Sequence, residues 1–203
     1  MQGLFDFIIK PVGNRYSNIK KIGSEELIIN TRIEDHKSIN RTAIIVALPR
    51  HCNTSMKVGD EVVIHHNIFR SSYDNNGKAK NSRFFIQEDL FYCPLDCIFL
   101  YKNTDKWKAV DGYSFIKPIQ SDNVYSIAAE KACVGVIKYC SAGYKQNELV
   151  GFRNNIEHEF VIDGELLYKI KSSLIEIKYE RKGNEKEYNP SWAQSCWRVN
   201  KGS

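Results

Sequence analysis

The sequence has no apolar run near the roughly 18 to 20 residues needed to cross a bilayer, so no membrane span is expected. Met1-Gln2-Gly3-Leu4-Phe5-Asp6 offers neither a basic leader nor a long apolar stretch, which makes a cytoplasmic location the default expectation. No block of five or six like charges occurs. Residues 1–102 carry 14 Lys/Arg against 11 Asp/Glu, residues 103–180 carry 10 against 11, and residues 181–203 carry 5 against 2, giving +5 over the chain. Mixed signs of this kind fit solvated strand faces, and a nucleic-acid partner is not expected. The six cysteines, at 52, 93, 97, 133, 140 and 196, need no disulfide framework in an unsecreted chain of 203 residues. Cys93-x-x-x-Cys97 is not the zinc-knuckle spacing, and no second ligand pair stands at a zinc-like interval, so no metal is expected. Phosphate-loop, Gly-x-Ser-x-Gly and His-Glu-x-x-His motifs are all missing. Nothing here points to an enzyme, a catalytic residue or a cofactor.

What is present is short and β-like. Phe7-Ile8-Ile9, Thr42 to Leu48, Glu61 to Ile64, Phe84-Phe85-Ile86 and Ile98 to Tyr101 are runs of three to seven residues, rich in β-branched and aromatic side chains. None keeps a helical period for three turns, and the best helix candidate, Ser126 to Cys133, is too short to carry a core. The fold class expected is all-β.

The runs also repeat. Phe7-Ile8-Ile9-Lys10-Pro11-Val12 returns as Ser114-Phe115-Ile116-Lys117-Pro118-Ile119 at an offset of 107. Glu61-Val62-Val63 returns as Glu148-Leu149-Val150 at offset 87. Phe84-Phe85-Ile86 and Leu90-Phe91-Tyr92 return as Phe160-Val161-Ile162 and Leu166-Leu167-Tyr168 at offset 76. Order is kept while the offset shrinks, as when a second copy loses loop residues between strands that the core holds in place. Two copies of one small β module follow, over 1–102 and 108–180, joined at Asn103 to Lys106, with an extension over 181–203.

The first copy runs from a strand (Phe5 to Lys10) through a long polar excursion to the strand Thr42–Leu48. Then come Lys57-Val58-Gly59-Asp60-Glu61-Val62-Val63, the pair of runs around Gln87-Glu88-Asp89, and the closing Leu95-Asp96-Cys97-Ile98-Phe99-Leu100. This succession resembles the GroES co-chaperonin family, with its first strand, mobile loop, strand, "VGD.V" turn-strand, roof hairpin and final "..DI..I" strand. The second copy is similar in Val161 to Tyr168 and Ser172 to Ile177, so the chain resembles a tandem member of that family. It departs from the pattern in having Arg41-Thr42-Ala43 where a glycine usually opens the strand, although Gly135 stands nearby in the second copy. It departs again in reading Gln146-Asn147-Glu148 for the Gly-Asp turn.

The resemblance implies two tandem GroES-like β-barrels, a ring-like homo-oligomer and a GroEL-like chaperonin as partner. Within loop 13–41 sits one apolar tripeptide, Leu27-Ile28-Ile29, between Gly23-Ser24-Glu25-Glu26 and Asn30-Thr31. In the family an aliphatic tripeptide at this place docks onto the chaperonin, which makes Leu27, Ile28 and Ile29 the candidate partner-binding residues. The residues alone leave a plainer reading open, in which the triplet is an ordinary strand buried at the module's edge.

Two other functions stay open. One is a structural virion or assembly component on the same scaffold; the 23 Ile, 20 Lys and 17 Asn are consistent with an AT-rich genome such as many phages have. The other is single-stranded nucleic-acid binding of the OB-fold kind. His65-His66, if on a strand, would point to opposite faces, and the carboxylates of Gln87-Glu88-Asp89 and Asp163-Gly164-Glu165 suit hairpin turns. Tyr188, Trp192 and Trp197 in the basic tail suggest packing on its own module or on a neighbouring subunit.

Overall fold

The computed structural model describes residues 2–16, 19–22, 25–28, 38–121, 129–141, 143–180 and 185–194. The chain divides into two compact units, Met1–Trp107 and Lys108–Ser203. Its strands are β1 (Phe7–Pro11), β2 (Ile19–Ile22), β3 (Glu25–Ile28), β4 (Thr42–Ala47), β5 (Glu61–Ile64), β6 (Ser72–Tyr73), β7 (Ala79–Lys80), β8 (Phe85–Gln87), β9 (Leu90–Cys93), β10 (Ile98–Asn103), β11 (Lys106–Ala109), β12 (Tyr113–Gln120), β13 (Glu130–Cys140), β14 (Leu149–Phe152), β15 (His158–Ile162), β16 (Glu165–Lys171) and β17 (Ile175–Lys178). The protein is all-β, with only short helical turns among the described residues.

The first sheet runs β11-β10-β5-β4-β1-β9-β8 and the second β15-β16-β12-β13-β14-β17. With β1, β4, β5, β8, β9 and β10 set beside β12, β13, β14, β15, β16 and β17, the two orders are the same. The likeness extends to irregularities. The β1–β4 register shifts between Ile8 and Ile9, and the β12–β13 register between Phe115 and Ile116, at the sequence offset of 107. A bulge bends a strand and increases its twist, so both sheets bend at the same place.

The turn before β5 shows how different residues build one geometry. Gly59 takes φ +92° and donates to Ile45 O at 2.8 Å, while Asp60 Oδ2 accepts from Lys57 N at 2.8 Å. In the second unit Asn147 takes φ +69° and donates to Ile137 O at 2.8 Å, and Glu148 Oε2 accepts from Lys145 N at 3.0 Å. Asparagine is among the few non-glycine residues that enter the left-handed region at small cost. Gln146-Asn147-Glu148 is therefore a working substitute for Gly-Asp.

These contacts correct the repeat in detail. Pro11 faces Ala43 and Pro118 faces Gly135, while Ala43 faces Val62 and Gly135 faces Val150, so β5 and β14 correspond at offset 88 instead of 87. Ile9 faces Phe91 and Ile116 faces Tyr168, an offset of 77 instead of 76. A one-residue slip reverses which face each side chain takes; Phe91, which the sequence aligned with Leu167, is the buried counterpart of Tyr168.

Two further expectations change, and one segment that was not expected to carry a helical core is strand. Asn103 to Lys106 is the tip of the β10–β11 hairpin, with Thr104 at φ +46° and Asp105 at +63°, and the first unit continues through Trp107. Glu130 to Cys133 of the rejected helix candidate opens β13; Ser126 to Ala128 lie outside the described residues. His65 and His66 follow β5, His66 opening a 3-10 turn, and their rings stack 4.4 Å apart instead of facing opposite ways.

Alternation builds the first core: Ala43, Ile45 and Ala47 of β4 point in, as do Phe91 and Cys93 of β9, whereas Phe7, Ile8 and Ile9 of β1, between those two strands, are buried consecutively. The second unit buries Ile116, Ile137, Val150, Leu166 and Ile170 with Ala193 of the tail.

The tail's residues 185–194 pack on the second unit. Tyr188 N donates to Pro118 O at 2.8 Å and Gln120 N to Lys186 O at 2.7 Å, adding a short strand beside the end of β12. Asn189 clamps the β15–β16 turn, accepting from Leu166 N at 3.0 Å and donating to Gly164 O at 3.0 Å. Buried Lys117 holds Glu187 at 2.7 Å and Glu165 at 3.0 Å. Ala193 and the aromatic Tyr188 pack on the core of this unit, whereas Trp192 is 48% exposed. Trp197 lies outside the described residues.

Candidate functional site

Between β1 and β4 the chain leaves the sheet at Val12 and rejoins it at Thr42, where Val12 N donates to Thr42 O at 3.1 Å. Asn40 ties the departing and returning stems together. Its Nδ2 donates to Val12 O at 2.7 Å and Asn14 O at 3.0 Å, its backbone N to Arg15 O at 2.8 Å, and its Oδ1 accepts from Thr42 N at 2.8 Å. One step outward Tyr16 bridges to Ile39, whose side chain is buried.

Arg15 then fastens this neck to a different part of the unit. Its guanidinium donates to Phe69 O at 2.8 Å, Ser71 Oγ at 3.1 Å and Asn81 Oδ1 at 2.9 Å, and sits 4.9 Å from the centre of the Phe91 ring. Phe69 packs edge-on against Phe91, with ring centres 4.9 Å apart. Tyr16 Oη accepts from Ser71 N at 2.6 Å. Burial pulls the Arg15 guanidinium below its ordinary value, with Tyr16 and Asp89 opposing that pull; it remains a cation. The planar fork suits this place because it meets a carbonyl, a hydroxyl and an amide while stacking on an aromatic face.

Beyond the neck lie β2 and β3, a two-stranded antiparallel sheet separate from the seven-stranded one. Leu27 faces Lys20 and Ile28 faces Ile19, so two of the three candidate residues form the end of β3; Ile29 lies outside the described residues. A lone two-stranded hairpin is marginally stable in water, so a surface that accepted it would add to its order.

The second unit has nothing comparable in length. Gln120 of β12 already faces Glu130 of β13, and the connection is Ser121 to Ala129. The first unit carries a second insertion as well. Between β5 and β8 it holds His65 to Phe84, including the β6–β7 hairpin, whereas β14 and β15 are joined by Arg153 to Glu157 alone.

Elsewhere the reactive groups are quiet. Burial, with help from Cys97, Asp6 and Asp96, pushes the Cys93 thiol well up, and burial with Asp96 raises Cys97 to about 11. Both stay protonated near neutrality, where a thiol is a poor nucleophile. Among the described residues no group of three or more His, Cys, Asp or Glu could hold a metal ion, and no helix is long and apolar enough to cross a membrane. Glu165, in the turn region read as structural, holds Lys117 and Lys138 at 3.0 Å each. Arg15 and Asn40 carried no signal in the sequence, since their partners come from five separate stretches of chain.

No protein-family model matches the chain, and no curated protein matches it either.

Proposed function

We propose that the protein is a co-chaperonin: a tandem pair of GroES-like barrels that assembles into a ring and caps a chaperonin cage. The observation that carries this reading is the knotted neck at Arg15 and Asn40, which fixes the base of an excursion whose small hairpin has Leu27 and Ile28 as the last two residues of β3, at its open end. The shared order of the two sheets supports the tandem part of the reading.

Three aliphatic side chains would contribute roughly 5–9 kcal/mol gross if Leu27, Ile28 and Ile29 were fully buried on a partner. Ordering the segment takes back about 2–5 kcal/mol. A single contact is thus weak and reversible, and several presented together bind tightly through effective concentration. A lid that must leave when its partner changes state needs that combination.

The test is capture from host lysate in ATP and in ADP, with wild type and Ile28→Asp compared and bound proteins identified by mass spectrometry. A chaperonin retained by the wild type in a nucleotide-dependent manner, and lost in the variant at unchanged circular dichroism, is the expected result. Wild type that retains no chaperonin, or a variant that retains it equally, refutes the reading. Co-purification with particles in place of a chaperonin would select a structural role.

A further inference from the structure

Both insertions that distinguish the first unit from the second, the excursion 12–41 and the segment 65–84, meet at one side-chain knot. Arg15 reaches across both arms of the second insertion, to Ser71 before β6 and to Asn81 after β7. Tyr16 Oη takes the Ser71 amide, and Ser82 Oγ donates to Ile68 O at 2.6 Å to close the hairpin's foot. Two independent surface loops have no reason to share a foundation. These two share the residues that hold each in place.

The segment so rooted is predominantly basic, with four Lys/Arg against one acid over residues 65–84. Arg70, Lys78, Lys80 and Arg83 are all exposed. The one acid of the segment, Asp74, spends its carboxylate inside the turn, where Oδ1 accepts from Asn76 N at 2.9 Å and Lys78 N at 2.8 Å. Gly77, at φ +75°, completes that turn by donating to Asp74 O at 3.0 Å. Beside the lysines Tyr73 stands 52% exposed, an amphipathic side chain of the kind enriched in contact surfaces.

We infer that the β6–β7 hairpin is a second, electrostatic arm of the same contact, meeting an acidic surface on the protein that receives the 19–28 hairpin. This rests on the co-chaperonin reading and adds to it a division of labour. The aliphatic residues supply burial, while Lys78 and Lys80 supply orientation and speed of encounter, since complementary charge acts chiefly on association rate and register. Arg15 holds the roots of the two arms together, so that engagement of one brings the other close to the same partner.

The experiment measures binding of purified chaperonin with ATP to the full-length wild type, to Lys78→Glu/Lys80→Glu and to Lys78→Gln/Lys80→Gln, at 50 mM and 500 mM salt. The expected result is an association rate lowered about tenfold or more by double charge reversal at low salt, with a smaller loss for the neutral pair and convergence at high salt as screening removes the steering. Because both lysines are exposed, the neutral pair serves as a folding control, with an unchanged melting temperature. If wild type binds and both variants bind at the same rate at each salt concentration, the second arm is refuted and the loop reading stands. If wild type itself does not bind, both fall together.

Discussion

Replacing Arg15 with alanine removes the side chain that makes most of the bonds between the two insertions of the first unit, and leaves Tyr16 to hold Ser71 alone. Two of its hydrogen bonds, to Phe69 O and Ser71 Oγ, are partly buried, and the third, to Asn81, is exposed. Bonds from a charged donor contribute about 1.5–3 kcal/mol each, and the lower end applies here because water reaches the site. The position over Phe91 adds about 0.5–1 kcal/mol. Counting the exposed bond as negligible, and the loss of a partner for Phe69 O as included, the expected destabilisation of the first unit is about 3.5–4 kcal/mol. Denaturant unfolding followed by amide exchange measures it residue by residue. Ser71, whose amide is held by Tyr16, and Asn40, whose amide is held by Arg15 O, should lose protection. Ile137 and Tyr179, bonded within the second unit, should not. Arg15→Lys should recover only part of the loss, since an ammonium cannot span three acceptors and stack at once. A change below about 0.5 kcal/mol, within the range of ordinary surface substitutions, with Ser71 protection intact, would show that the knot does not hold the loops.

Truncation after Glu180 should lower the calorimetric melting temperature of the second unit, because it removes Ala193 and Tyr188 from the core around Ile116, Leu166 and Ile170 and leaves Lys117 with one carboxylate in place of two; an unchanged transition would contradict the tail's packing. The same unit should be most stable between about pH 5 and 10. Burial pushes Glu165 up, but hydrogen bonds from Lys138 and Lys117 prevail and hold it below 4.5, so its contribution is present above that value and drains as pH falls. Burial first, and then the Glu130 carboxylate bonded to Tyr168 Oη, raise Tyr168 above 10, while burial with Asp163 and Glu165 raises Tyr139 to about 12. Those contributions are complete below pH 10 and fall away as pH rises through the folded values. Melting curves against pH for wild type and Glu165→Gln check both limbs, and an acid limb that survives in the variant would reassign it.

Much of the frame was visible in the chain because it depends on short-range pattern. Alternating and continuous apolar runs of strand length marked β1, β4, β5, β8 and β10, and their repetition in order marked the corresponding strands of the second sheet. Register was not visible. Phe91 and Tyr92 are both large and aromatic, so composition could not say which of them matches Tyr168; the hydrogen-bond partners of Ile9 and Ile116 decide it. The site divides the same way. Leu27 and Ile28 stood out as apolar residues in a polar excursion, and their place in β3 adds a partner strand that propensity alone could not supply. Arg15, Tyr16 and Asn40 looked like ordinary loop residues because their role exists only once residues 69, 71, 81 and 91 are brought beside them.

Two frames of the same strand order in one polypeptide are decoys for each other during folding: a strand of one could dock into the vacancy meant for its twin. Gly135 works against that error. A methyl group placed there would lie 2.5 Å from Ile116 Cγ2 and 2.6 Å from Lys117 O, far inside contact distance. The equivalent strand from the other half brings Ala43 to that point, and it cannot seat opposite β12 without pushing the backbone away. A single missing carbon thus bars β4 from the place that β13 takes beside β12.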